Sequence, residues 1–278
     1  MRDTFFNLPP ATVNDVVEKT IALIGSKVFT KSIHKPYGVW KAAKVIRNMS
    51  KEYSGYLHEW KVDIHEKDVV DLGDYDRSKL GSIVKKVIDE GGIAIVIGGD
   101  HATTYYALKN VDVESLLWLD AHLDLAEKKS YYGSERINHA NVLQFLLNEK
   151  ELSVTIVGFR GHSTPKSEIN RIKKYKLSLL SADVDSTQLS ELFSNHFAIS
   201  LDLDFFDATE IRATRVPEIN GFSLKDFIIA LGTVGDVRAR YFDIVEYCPD
   251  IDRGYVDAKV ISQLLLYVIA LFIRSGYG

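Results

Sequence analysis

Cysteine is nearly absent: Cys248 is the only one in 278 residues. No intramolecular disulfide can form, so the fold depends on its core, and the chain suits a reducing, cytoplasmic compartment. A basic excess is also missing. With a formal net charge of -4, the chain carries no overall positive field for a nucleic-acid backbone or an anionic membrane, and neither partner is expected. Met1–Pro10 shows no charged segment followed by an apolar run, so no secretion signal is read there. The most apolar stretch, Val260–Ile273, is broken by Ser262 and Gln263 and is short for a bilayer, which makes it a buried helix. No Gly/Ser/Pro-rich linker, repeat or low-complexity segment marks a boundary, and residues 1–278 read as one domain.

What the chain does have is an alternation of short apolar runs with helical patterns. Strands are expected at Thr20–Ile24, Trp60–Asp63, Val69–Leu72, Ile93–Ile97, Leu116–Leu119, Ser153–Val157, Ala198–Leu203 and Arg240–Val245. The runs at Ile93–Ile97 and Leu116–Leu119 are continuously apolar, as in a parallel strand covered on both faces. Helical spacing covers Tyr37–Arg47, Asp76–Glu90, Ala102–Asn110, Asn141–Leu147, Ser223–Val234 and Ala258–Arg274, with Ser223 as a cap. This alternation predicts a three-layer α/β/α fold with a mostly parallel central sheet. Such sheets bind ligands beyond the carboxyl ends of their strands.

Those ends are where chemistry-bearing residues collect. Gly98-Gly99-Asp100-His101 follows one expected strand, and Asp120-Ala121-His122-Leu123-Asp124 follows another. Asp202 and Asp204 close a third, with Asp207 just beyond, and Glu246 follows a fourth. A lone Asp or His after a strand is usually a cap. The full set is harder to explain in that way. In an extended chain, residues two apart share a side, which would aim Asp120, His122 and Asp124 together and likewise Asp202 and Asp204. Carboxylates crowded in this way repel unless cations neutralise them, and two divalent ions offset four carboxylates. Gly98 and Gly99 let the backbone turn and bring His101 in. Carboxylates and imidazoles without thiolate favour manganese, ahead of zinc, iron, cobalt or nickel.

These residues resemble the signature motifs of the ureohydrolases, the arginase/agmatinase family: Gly98–His101, Asp120–Asp124 and the segment from Ser200 to Asp207. Weaker similarities are Asp71-Leu72-Gly73-Asp74, the helix entry from Pro36 to Arg47, and the segment from Asp243 to Asp252. The resemblance implies an arginase-like fold, two Mn2+ ions and assembly as a homo-oligomer, a trimer or hexamer. One ion would take His101, Asp120, Asp124 and Asp202; the other His122, Asp120, Asp202 and Asp204. Asp124 would orient the attacking water, Glu246 would hold the guanidinium of a small guanidino substrate, and His139 would shuttle protons. His162, in the loop Gly158–His162, takes no role.

Two departures bear on the substrate. Ala208 follows Asp207 where the family usually has proline, with Pro217 arriving after Glu210, Arg212 and Arg215. The loop from Leu125 to Asn141 lacks the S-G-N-x-H-G pattern that arginases place around an amino-acid head group, and Ala140, not glycine, follows His139. This favours agmatine, cleaved to putrescine and urea, over arginine. Arg136 would instead suit a guanidino acid such as guanidinobutyrate. Formimidoylglutamase activity, a non-catalytic metal-binding relative and a deacetylase-like amidohydrolase are the alternatives.

Overall fold

The computed structural model describes residues 3–31, 35, 37–127, 135–162 and 164–276. Pro36 and residues 128–134 of the loop between Leu125 and Asn141 lie outside that set.

Among the described residues the strands are β1 (Ile21–Ser26), β2 (Tyr56–Leu57), β3 (Val62–Asp63), β4 (Val69–Tyr75), β5 (Ile93–Ile97), β6 (Ser115–Leu119), β7 (Ser153–Val157), β8 (Ser178–Leu180), β9 (Ala198–Asp202) and β10 (Tyr241–Val245). Eight of them form one sheet in the order β4-β1-β5-β10-β9-β6-β7-β8, and every pairing in it is parallel. β2 and β3 form a separate antiparallel ladder. The expected strand at Trp60–Asp63 thus shrinks to Val62–Asp63 and stays off the main sheet.

The helices are α1 (Ala42–Ser50), α2 (Leu80–Asp89), α3 (Ala102–Leu108), α4 (Val142–Glu149), α5 (Lys166–Tyr175), α6 (Ser186–Asn195), α7 (Leu224–Thr233) and α8 (Val256–Arg274). Successive strand residues feed opposite cores. Ile93, Ile95 and Ile97 pack with α1, α6, α7 and α8. Ala94 and Val96 pack with α2, α3 and α4. Burial on both faces explains why the central strands carry no polar alternation. α8 is apolar for the same reason: its length and composition would suit a membrane, but most of it is buried inside the fold. Ser223 caps α7, accepting from the Asp226 backbone N–H at 3.0 Å.

Two weaker motifs meet here as structure. Arg47 of α1 donates from Nε to Asp71 Oδ2 at 2.8 Å and lies 2.7 Å from Asp74. Asp71 also accepts from the backbone N–H groups of Phe5 and Gly73. A buried arginine so enclosed pins the amino-terminal segment and α1 to β4.

The strand order places the carboxyl ends of β5, β10, β9 and β6 side by side. All four motifs expected to carry chemistry leave the sheet from this row, the GGDH turn from β5.

Candidate metal centre

β5 ends at Ile97, and Gly98 and Gly99 then take φ of +90° and +81°. A Cβ on Gly99 would sit 2.2 Å from Thr103 Oγ1, and one on Gly98 would sit 2.8 Å from the Ala43 nitrogen. Only glycine makes this turn, and it delivers His101 to the start of α3.

His101 Nδ1 lies 3.2 Å from Asp120 Oδ2, 3.1 Å from Asp124 Oδ2 and 3.1 Å from Asp202 Oδ2, yet hydrogen-bonds to none of them. Three carboxylate oxygens lie around this nitrogen at distances that donors around one cation would have. Donors about 2.2 Å from a cation and about 90° apart are themselves about 3.1 Å apart. His122 Nδ1 lies 3.1 Å from Asp204 Oδ2 and 3.4 Å from Asp120 Oδ1. Within these, two compact candidate groups stand out, His101–Asp120–Asp124 and Asp120–His122–Asp204. Asp120 turns one oxygen to each histidine, as a bridging ligand would. Asp202 reaches the His101 side, where its Oδ2 points, while its Oδ1 accepts from the Asp204 backbone N–H at 3.0 Å.

All six expected ligands therefore meet, but not through strand alternation. β6 stops at Leu119 and β9 at Asp202. Asp204 lies in a 3-10 turn, Leu203–Phe205. Asp124 is left-handed, with φ +49°. Tight turns stabilised by the aspartates themselves aim the side chains: Asp120 Oδ1 accepts from the His122 backbone N–H at 2.6 Å.

The histidine orientations are fixed from behind. The His101 ring stacks on Trp118 with centroids 4.0 Å apart, and Trp118 Nε1 donates to Asp120 Oδ2 at 2.9 Å. His101 Nε2 meets Ser200 Oγ at 2.9 Å, and Ser200 donates to Asp243 Oδ1 at 2.7 Å. Asp243 also accepts from Thr104 and Tyr241. This chain keeps the proton on Nε2 and leaves the Nδ1 lone pair for a cation. For His122, Nε2 lies 3.5 Å from Glu218 Oε1, and Glu218 Oε2 meets His162 Nδ1 at 2.9 Å. Sequence reasoning missed Ser200, Asp243 and Glu218 in these roles and left His162 unassigned. Asp243 is the one with a visible signal, a carboxylate inside an apolar strand.

Charge crowding shows in proton affinities. Burial, then the neighbouring Asp120 charge, raises Asp124 to about 7. Burial and the surrounding carboxylates raise Asp202 and Asp204. Against burial, the carboxylates raise both histidines. The donor set thus fits divalent cations, and protons substitute for them in their absence.

A cavity opens on this centre, lined by His122, Asp124, His139, Ala140, Thr164, Glu168, Asp202, Asp204, Arg215, Val216 and Glu246. Of the expected catalytic residues, Asp124, His139 and Glu246 all line it. Arg136 does not; it is exposed and lies over the Phe145 ring. Glu168, which burial raises to about 7, joins from α5, a helix the sequence pattern did not reveal.

Glu246 has a partner that sequence reasoning did not foresee. It sits at φ +70°, and its Oε1 accepts from the His101 backbone N–H at 2.8 Å. Arg215 Nε donates to Oε2 at 2.7 Å, and Arg215 Nη2 donates to Oε1. Burial alone would raise Glu246, but the arginine holds it down at about 2. The carboxylate expected to grip a guanidinium already holds one.

The arginase-family profile matches residues 19–270. The chain belongs to the arginase family. Its members are metal-dependent ureohydrolases, and this chain is one of them. It is 28% identical to an agmatinase from Pyrococcus horikoshii, over 97% of both proteins. It is 26% identical to an N(1)-aminopropylagmatine ureohydrolase from Thermococcus kodakarensis, over 84% of each. Among solved structures, proclavaminate amidino hydrolase from Streptomyces clavuligerus superposes with a TM-score of 0.84 at 20% identity, covering 99% of this chain and 98% of that one. The agmatine ureohydrolase of Thermoplasma volcanium gives 0.82 at 23%, covering 99% and 95%. The fold is arginase-like.

Replacing Asp243 with Ala removes the acceptor behind His101. Manganese affinity should fall by about 10- to 100-fold, measured by calorimetry; an unchanged affinity contradicts the orienting role. The pH dependence is a second check. Raised carboxylates and raised histidines both bind more protons in the folded chain than in the unfolded one, so the chelated protein should lose thermal stability as pH climbs from about 4 through about 7. Metal should offset that loss. A chelated protein whose melting temperature rises steadily over this range would contradict the crowding.

Proposed function

We propose that this ureohydrolase cleaves a C–N bond at a trigonal carbon of a small linear compound, with two divalent cations, manganese first among them, at the His/Asp centre. The observation that carries this reading is the convergence of five donor side chains in two groups sharing Asp120, with Asp202 beside His101, against one cavity. Among guanidino compounds agmatine comes first. The curated relatives support it, and so does the absence of an arginase-type head-group pattern between Leu125 and Asn141. A homo-oligomer in the cytoplasm is the expected setting.

His101, Asp120, Asp124 and Asp202 would hold one ion, with His122, Asp204 and the shared aspartates holding the other. When bound, such a pair supplies an acidified water near neutral pH and draws charge from the carbon under attack. Asp124 reaches into the cavity from a strained turn. There it accepts a hydrogen bond from the attacking water and orients it, then returns the proton to the departing nitrogen. His139, on the cavity wall in the short turn His139–Asn141, exchanges that proton with solvent. Glu246 lines the same cavity with Arg215 paired to it.

The test is product release with manganese across agmatine, arginine, guanidinobutyrate and formiminoglutamate, the last followed through formamide. Turnover should require metal and favour agmatine over arginine. Asp124→Asn should lower kcat by at least about 100-fold while ions remain bound. Wild-type turnover by that variant at full occupancy would refute the assignment, and no turnover of any compound would favour a metal-binding relative without activity.

A further inference from the structure

At the cavity wall one guanidinium stands between two buried carboxylates. The Arg215 side chain is 2% exposed. Its Nε donates to Glu246 Oε2 at 2.7 Å, and its Nη2 donates to Glu246 Oε1. Nη2 also lies 3.8 Å from Asp100 Oδ2. Asp100 is fully buried. Its Oδ2 accepts from the Thr30 backbone N–H and hydroxyl, both at 2.6 Å, and its Oδ1 accepts from the Ala102 backbone N–H at 3.1 Å. Among the described residues, Arg215 is the only cation within 4.0 Å of Asp100. Two carboxylates thus share one guanidinium, and the cluster is short of one positive charge.

A guanidino substrate brings that charge, but the place for it is occupied. Glu246 lines the cavity, whereas Asp100 does not. A guanidinium entering toward Glu246 meets Arg215, and like charges repel strongly where water is excluded. Arg215 stays protonated at any working pH, and stranding a buried charge is costly. It can therefore leave Glu246 only for another carboxylate. Asp100 is that carboxylate, with Oδ2 about 1 Å beyond charge-assisted hydrogen-bond distance from Nη2. The movement is confined to the side chain, because the nearby backbone is pinned: the Ala213 carbonyl accepts from the Cys248 N–H at 2.7 Å, and the Ala213 N–H donates to Asp257. Nη1 is buried without a hydrogen-bond partner. The present pairing leaves part of the fork unsatisfied, which lowers the cost of exchanging it.

We propose that Arg215 is a built-in competitor for the substrate's guanidinium: in the free protein it occupies Glu246, and on substrate binding it passes to Asp100 while the substrate takes its place. The inference rests on the reading of Glu246 as the carboxylate that faces a guanidino substrate, not on turnover. It makes Arg215 a specificity-determining residue. A group without positive charge cannot replace an arginine on Glu246, so the exchange admits a guanidinium and rejects a neutral urea. Once cleavage has turned the guanidinium into urea, Arg215 returns to Glu246 and displaces the product.

Agmatine affinity tests this, measured by calorimetry on manganese-equilibrated protein in the Asp124→Asn background, where turnover is slow. A competitor that leaves Glu246 open in fewer than about a tenth of the molecules weakens apparent affinity at least about tenfold, so Arg215→Ala should tighten agmatine by at least that factor. Asp100→Asn removes the receiving charge and should weaken agmatine about tenfold, but only while Arg215 is present. In the Arg215→Ala/Asp100→Asn double variant that weakening should vanish, whereas two residues that merely support the fold would give independent losses. Arg215→Ala binding agmatine no more tightly than its parent overturns the inference, as does an Asp100→Asn effect that persists without Arg215. If the Asp100 variants do not fold, the Arg215→Ala comparison decides alone. The stated order of affinities in a protein that, with Asp124 intact, releases no urea from any guanidino compound would sink the hydrolase reading and leave the competitor standing.

Discussion

Four carboxylates and two imidazoles share one buried pocket at the carboxyl ends of a parallel sheet, and their mutual repulsion is the constraint around which the rest is arranged. Asp120, Asp124, Asp202 and Asp204 cannot all ionise there without compensation. The fold accepts this because the surrounding groups are committed elsewhere: Trp118 and the His122 backbone N–H to Asp120, Ser200 and Asp243 to His101, Glu218 to His122. The lone pairs left over face one another. Stability of the pocket and its capacity for cations are therefore the same property.

The strand order supplies the positions. β5, β10, β9 and β6 are neighbours, so the turns that follow them open onto one crevice. Glycines shape only one of these turns. Those after β6 and β9 are held by aspartates capping their own backbone, and Asp124 and Glu246 take left-handed conformations. Such strain is stored where the geometry is used.

Much of this was legible in the chain. Continuous apolar runs marked β5 and β6 because both sheet faces are covered, and strand-end Asp and His residues stood out because nothing in a core needs them. The six candidate ligands stood out for that reason, but they converge through a 3-10 turn and a left-handed residue, not through strand alternation, and periodicity does not encode either. α5 and α6 escaped because their lysines, glutamates and serines bury little. β8 escaped because it is a three-residue edge strand. The Arg215–Glu246 pair was out of reach for another cause. The two residues are 31 positions apart, and Arg215 sits in a charged stretch that resembles a solvated loop until tertiary structure buries it. The motif that most strongly suggested a guanidinium site thus conceals a buried arginine already paired with its glutamate.

The central claim is a two-ion centre built on a shared aspartate, and metal stoichiometry tests it most directly. Elemental analysis of the manganese-equilibrated protein should give two ions per chain, falling to one in His122→Ala, which removes a donor from only one of the two groups. One ion in the wild type, or two retained in the variant, would contradict the account.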